Sequence, residues 1–375
     1  MSDSLLDALV DICGPGFARP ARTVDQAAGR RARFVAQPAT ATSAAAVLRL
    51  AAERGLSFRA RGAGTKIDWG TPPAGLDIIV DTGRLNGMWD HRDSTAVVAA
   101  GTPVSAVQAA LALKGQRLAV DPPSRGATVG GMLAVNESGP LRHRFGSPAA
   151  QTASVSFVSV AGSEETSDGE DGRPGIAEID GVLTSAVLTV EPLPAARRWV
   201  GRTVSTPAEV DDLVSSVLAQ DVSPSGIEVD LPGAGGGVLA LLLEGAESEV
   251  TGSADKVAGA WGGGAVVASS APSWWGRYPF AEGDVAVRIA VQPRHLQAVA
   301  YSLRDAAGGA VAIRGSAGVG AVHAVLPGEL GVTRVREIVT ALEQVLIARR
   351  GRLAVVAAAP EMAVQLPMTE TRELF

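Results

Sequence analysis

The sequence predicts an α+β protein of two domains, and three observations predict it. The chain has 375 residues, more than one ordinary domain holds and right for two. Apolar residues make up 46% and charged residues 19%, enough apolar material for real cores. Strand-like and helical runs alternate, and Pro192 and Pro194 punctuate the middle of the chain.

The first unit opens near Arg33 with FVAQP, a short strand ending at Pro38. TSAAAVLRLAAERG then places Ala, Val and Leu on one face at helical spacing, with Ser43 as N-cap and Gly55 as the C′ stop. LSFRA is the next strand, so the unit starts β-α-β. LDIIVDTGRL and TAVVAAGTPV read as strands closed by turns, VSAVQAALALKGQ as a helix ending at Gly115, and RLAV as a short strand. After a long Gly/Pro/Ser-rich segment, ASVSFVSVAG and VLTSAVLTVEPLP alternate as strands.

The second unit runs from about Ala195 to the end. VSTPAEVDDLVSSVLA is a helix with proline in its first turn, and GVLALLLEG a strand. SEVTGSADKVAGAWGG is helical, DVAVRIAV a strand and RHLQAVAYSLRDAAGG a helix. AVAIRGSAGVGAVHAVL is a bent strand or hairpin, VTRVREIVTALEQVLIARRG a helix and RLAVVAAAP a strand. No repeat of fixed period is visible. The expected organisation is an N-terminal extension over 1–30, a first domain over 31–195 and a second over 196–375.

Composition excludes several functions. The net charge is −6 with no basic block, and Arg30, Arg31 and Arg33 form only a solvated edge, so no nucleic-acid partner is expected. Cys13 is the only cysteine. The chain therefore has no internal disulfide, no CxxC pair and no Cys-held Fe–S cluster or zinc. The four histidines, His91, His143, His295 and His323, show no metal-binding spacing, so no metal site is expected. No apolar run reaches the ~18 residues of a spanning helix, and the N-terminus lacks a signal-peptide pattern. The expectation is a soluble, cytoplasmic protein.

Two glycine-rich segments carry the chemistry. The first is Arg61-Gly62-Ala63-Gly64-Thr65-Lys66, directly after a strand. A diphosphate needs backbone N–H groups pointing inward and no Cβ in the way, and glycines supply both. The segment fails as a Rossmann fingerprint, because Ile67 stands where Gly or Ala is required and Pro72 and Pro73 forbid the following helix. The second is SRGATVGGMLAVNESGP, with Thr128 as N-cap and Gly130-Gly131 in the first turn of a short helix. Each segment reads either as an anion cradle or as a plain Gly-rich turn. Together, two such sites in one domain suggest a cofactor gripped from two sides.

With both segments in view, the chain resembles the flavoprotein family that includes vanillyl-alcohol oxidase, whose FAD-binding domain is of the PCMH type. It most resembles the FAD-binding (E-type) subunits of bacterial glycolate oxidase. The matching stretches are FVAQP with AAAVLRLAAERGLSFRARGAGTKIDWG, LDIIVDTGRLNG, VVAAGTPVSAVQAALALKGQRLAVDPP, ATVGGMLAVNESGPLRHRFGS and DGVLTSAVLTVEPLP, covering most of residues 33–195. The second half is similar more loosely, through PSWWGRYPF, DVAVRIAV and the strands around Arg314.

The resemblance implies two α+β subdomains that bind FAD, followed by a ferredoxin-like α+β cap domain. Arg61, Gly62, Ala63, Gly64, Thr65 and Lys66 would hold the diphosphate. Pro123, Thr128, Gly130, Gly131, Asn136, Ser138, Gly139, Gly146 and Val182 would line the rest of the cofactor. Lys66 occupies the place of the family's covalent attachment histidine, so the FAD would be noncovalent. The implied reaction is oxidation of a small 2-hydroxy acid by hydride transfer to flavin. The implied partners are a second flavin subunit and an Fe–S subunit of the same complex.

Catalytic residues stay open. His143, His323 and Arg314 are candidates for proton transfer or substrate binding, and each also reads as an ordinary turn, core or surface residue. Arg277, Arg288 or Arg314 could clamp a substrate carboxylate or pair with surface acids. Trp274-Trp275 reads equally as a pocket wall or as core. The family's ring-facing segment (Gly-Gly, then Val-x-Lys-Asn-x-Ala-Gly-Tyr-Asp-Leu) is replaced by AGSEETSDGEDGRPGIAEIDG. The Arg-Asp after the Gly146 turn is replaced by Ala149 and Ala150, and the closing Asn-Pro-Gly-Arg is absent. The phosphate-facing half is kept and the ring-facing half eroded, which leaves a noncatalytic assembly subunit as the alternative.

Overall fold

A computed structural model describes residues 2–168, 175–233 and 236–369. The chain divides into two compact units. The first contains residues up to 137 and 147–193, and the second contains 138–146 and 194–369. The segment Ser138–Gly146, read from the sequence as part of the FAD domain, is thus grouped with the second unit. Residues 1–30, expected as an extension, lie within the first: the helix Ser2–Cys13 buries Leu5, Leu9 and Cys13 in the same core as Phe34, Val47, Leu48 and Ile78.

The first unit holds a four-stranded and a five-stranded sheet. In the smaller sheet, Phe34–Ala36, Ile78–Asp81 and Phe58–Arg61 run parallel, and Ala18–Pro20 is antiparallel at the edge. The helix Ala41–Glu53 makes the crossover between the first and third of these. It is started by Thr40 rather than Ser43. The Thr40 hydroxyl accepts from the Ser43 N–H, and the Ser43 hydroxyl accepts from the Thr40 N–H. Ser43 therefore closes a capping box from the third helical position. Gly55 stands just past the helix at φ +62°, the left-handed stop its sequence position predicts.

The larger sheet is antiparallel throughout, in the order Glu164–Ser167, Thr152–Ser159, Gly181–Thr189, Thr95–Ala99, Met88–His91. The expected RLAV strand reduces to Gln116–Arg117. Beyond it the Gln108 amide takes the part of a neighbouring strand, donating to the Leu118 and Val120 carbonyls and accepting from the Leu118 N–H. Part of the acidic segment, residues 169–174, lies outside the described residues, as does 370–375.

The second unit contains a repeat that the sequence conceals. Ala196–Val204, helix Pro207–Leu218, Gly226–Leu231, Gly237–Gly245, helix Glu247–Trp261 and Val266–Ala268 form one βαββαβ pass. Val285–Ala290, helix Leu296–Ala307, Ala312–Ser316, Ala321–Leu326, helix Val332–Ile347 and Arg352–Ala357 form a second. Each pass orders its strands as a ferredoxin-like module, fourth, first, third, second. The two modules meet through their second strands, Gly226–Leu231 against Ala312–Ser316, to make one eight-stranded sheet. Val229, Val287, Ile289, Ile313, Val322 and Ala324 pack with Val214, Val257, Val299 and Val339 of the helices in a single core. The α+β class read from the sequence is the class observed.

Candidate functional site: two converging glycine turns

Parallel strands expose unpaired backbone groups at their carboxyl ends, where ligands of open α/β sheets bind. Here those ends are Arg61 and Asp81, in register on adjacent strands. The Arg61 guanidinium is fixed between two carboxylates. It donates to Asp81 Oδ2 at 2.8 Å and to Asp25 Oδ1 at 2.9 Å. Asp25 is 1% exposed and also accepts from Arg19 at 2.6 Å and from the Arg22 N–H at 2.7 Å. The Arg19 hydrogen bond, foremost, holds the Asp25 carboxyl well below the usual carboxylate range.

The loop leaves the sheet at Gly62. The N–H groups of Gly62, Ala63, Gly64 and Thr65 donate to no acceptor among the described residues. Gly64 has φ +78°, a conformation that suits glycine. A methyl group on Gly62 would stand 2.2 Å from Thr128 Oγ1, so the two glycine segments meet in space.

Thr128 caps the helix Val129–Ala134, its hydroxyl accepting from the Gly131 N–H at 3.2 Å. The amides at this helix start are already used. Val129 N–H donates to Thr102 O and Gly130 N–H to Ala100 O at 2.7 Å. Gly130 is required by packing, because a methyl there would lie 2.7 Å from Ala100 Cβ. The helix contributes a surface without side chains; its amides are spent inside the fold.

Lys66 turns inward. Its ammonium lies 3.0 Å from Glu137 Oε1, donates to Ser124 Oγ, and sits 4.3 Å from the centre of the Trp69 ring. Burial lowers its pKa and Glu137 opposes that shift.

A niche of about 120 Å³ opens between these elements. Ala60, Gly62, Thr82, Gly130, Gly131 and Val182 contribute to its wall, together with Ile176 and Ile179. Drug-sized ligand pockets run to roughly 300–1,000 Å³, so the niche has room for only one part of such a ligand. Among the remaining sequence candidates, Pro123 precedes Ser124 at the edge of the Lys66 cluster. Asn136 adopts φ +48° and accepts from the Ala149 N–H at 3.0 Å. Ser138, Gly139 and Gly146 fall in the second unit. Gly139 O accepts from the Arg142 N–H, and Gly146 (φ +79°) ends the short helix Arg142–Phe145.

The second unit carries a polar row across its sheet. Asp230 faces Arg314, Arg314 faces His323, and His323 faces Arg288 on four successive strands. Directly opposed residues share a sheet face, here the face away from the core positions. Arg314 Nε donates to Asp230 Oδ1 at 2.8 Å and its Nη1 to the Tyr278 carbonyl at 3.2 Å. The Tyr278 ring meets His323 edge-on, centroids 5.0 Å apart. Arg288 is buried, and burial foremost, with Arg142 adding repulsion, pushes its pKa down to about 9. His143 packs over Gly318, and burial lowers its pKa. Arg277 is exposed, and Trp275 contacts both Trp274 and Trp199 at ring distances of 6.0 and 6.4 Å.

Sequence reading missed the acids that organise the first site. Asp81 ends an apolar strand, IIVD, and Glu137 is the only acid in SRGATVGGMLAVNESGP; both were legible as isolated charges in uncharged surroundings. Among the described residues no group of His, Cys, Asp and Glu could hold a metal ion, and no helix is long and apolar enough to cross a membrane.

Open amides on a glycine loop at parallel strand ends form an anion-binding arrangement, and the comparisons with known proteins point the same way. Residues 32–167 match the family described as FAD binding domain. Two uncharacterized FAD-linked oxidoreductases from Mycobacterium tuberculosis strains are 30% identical over 115 residues, covering 30% of this chain and 25% of each relative. An uncharacterized oxidoreductase of the fasciation locus of Rhodococcoides fascians is 33% identical over 128 residues, 34% of this chain and 29% of that protein. The matches thus span about a quarter of the length of these curated relatives. Among solved structures, alkyldihydroxyacetonephosphate synthase in two crystal forms superposes with a TM-score of 0.66 at 17% and 18% identity. It covers 86% of this chain, and 72% and 73% of those chains. That likeness is one of fold.

Proposed function

We propose that the chain is an FAD-linked oxidoreductase subunit of the glycolate oxidase kind, acting on a small 2-hydroxy acid. The observation that carries this reading is the convergence of Gly62 on Thr128, beside four amides that the protein leaves open. Gly62, Ala63, Gly64 and Thr65 would hold the diphosphate through N–H groups, and the side-chain-free surface at Gly130 and Gly131 would let the cofactor lie close. Bound noncovalently, FAD would supply hydride acceptance from the substrate carbon.

The chain's own residues would do the rest. Arg288 suits a carboxylate. Within the second unit, Arg314, held by Asp230, and His323, against the Tyr278 ring, would be the candidates for substrate binding and proton transfer. With one cysteine this chain holds no Fe–S cluster of its own, so electrons would pass to partner subunits, a second flavin subunit and an Fe–S subunit.

A second reading has its own support. Ile176 and Ile179 line the niche, and they come from the segment that replaces the polar ring-facing residues of the resembling family. That favours an assembly subunit that keeps the fold without catalysis. Purifying the chain alone and with its genomic neighbours, then recording the visible spectrum after denaturation, separates the two. FAD released at near one per chain supports the oxidoreductase. A colourless protein that still assembles supports the assembly subunit.

A further inference from the structure

Lys66 follows directly on the open amides and is the one cation of the loop besides Arg61. Position alone would make it a phosphate ligand. Its surroundings say otherwise. The Lys66 side chain is 8% exposed and the Glu137 side chain 1%. Glu137 also accepts from the Ser124 N–H at 3.0 Å, and Ser124 Oγ accepts from Lys66. Trp69, itself buried, covers the ammonium from the loop side. Glu137 lies at the exit of the Thr128 helix, its N–H donating to Met132 O. One ion pair therefore joins the glycine loop to both the start and the end of the second glycine segment.

Resting on the FAD reading above, we propose that Lys66 is a positioning residue, a buried tie that locks the Gly62–Thr65 loop against the Thr128 turn with Glu137 as its anchor. The cradle is then set before a ligand arrives, and the ligand's charge is met by backbone dipoles alone. A buried pair of this kind punishes removal of one partner and tolerates replacement of both by apolar groups.

The test uses the full chain stripped of flavin, with FAD as the probe. Lys66→Met, Glu137→Gln and the double variant Lys66→Met/Glu137→Leu are compared by hydrogen exchange of residues 62–66 and by FAD titration. Each single variant should speed loop exchange and weaken FAD binding by at least about tenfold, and the double should recover most of both. Should the single variants not fold, a folded double with a wild-type-like loop still supports the tie, and a double with a freely exchanging loop overturns it. A phosphate-ligand role predicts the opposite pattern: Lys66→Met and the double equally weak for FAD with loop exchange unchanged, and Glu137→Gln as tight as wild type or tighter. That pattern overturns the proposal. If the wild-type chain takes up no FAD, the oxidoreductase reading fails, while the exchange comparison still decides whether Lys66 locks the loop.

Discussion

Gly62 and Thr128, far apart in sequence, approach so closely that a single methyl group on Gly62 would reach to 2.2 Å from the threonine hydroxyl oxygen. That hydroxyl is already committed to the Gly131 N–H, so it cannot yield without uncapping the helix Val129–Ala134. The two turns therefore constrain each other, and substitutions at either report on both.

Gly62→Ala should cost about 1–3 kcal/mol through overpacking, with about 1 kcal/mol more where the cap is lost. Denaturant unfolding measures the sum. Thr128→Ala in the same background should relieve the clash and recover part of it. FAD content at saturation should fall in the single variant, because the added methyl pushes the two turns apart.

Gly130→Ala places its methyl 2.7 Å from Ala100 Cβ and 3.0 Å from Ala100 O. A loss of about 1–3 kcal/mol is expected. Ala100→Gly should restore only part of it, since the carbonyl stays in place. Full restoration would mean that the helix can shift away from the strand.

Asp25→Asn should destabilise the first unit by roughly 3 kcal/mol at neutral pH, because the Arg61 and Arg19 guanidiniums lose their buried anion. The Asp25 carboxyl is held low in the folded state. Its contribution is therefore fully present above the unfolded value near 3.9 and is lost as pH falls from there through the native value. Unfolding free energies of wild type and variant should converge in acid, with the gap narrowing below about pH 4.

His143 is shifted down by burial, against a smaller opposing hydrogen bond with Gly318. Folding thus favours its neutral form. Stability from this group is present above the unfolded value near 6.5 and is lost as pH falls through the lowered native value. Unfolding midpoints taken from pH 8 to pH 5 should drop on the acid side in the wild type and stay flatter in His143→Gln.

Most of the fold was legible because its elements obey local rules. The Ala/Leu face of residues 41–53, the proline opening 207–218 and the alternation in 181–189 each carry their own period. What escaped notice depended on distant partners. Ala196–Val204 mixes three arginines with small and apolar residues without a clean period, and only its neighbours Gly237–Gly245 and Val266–Ala268 make it an interior strand. The repeat was hidden because the two modules share a path and not a sequence pattern. For the site, the open loop amides of Gly62–Thr65 followed from glycine chemistry. The inward turn of Lys66 did not, since its partners Ser124 and Glu137 lie 58 and 71 positions further along the chain.

The joint between the two ferredoxin-like modules has a price for anyone who would separate them. Glu228–Leu231 pairs with Ser316–Ile313 along its length, so cutting the chain after Ala268 would bare one strand rim on each half. A lone half would be adhesive, ready to zip onto a copy of itself or a stray strand. Tandem linkage keeps the correct mate tethered at high local concentration and so shields the sheet from self-association during folding.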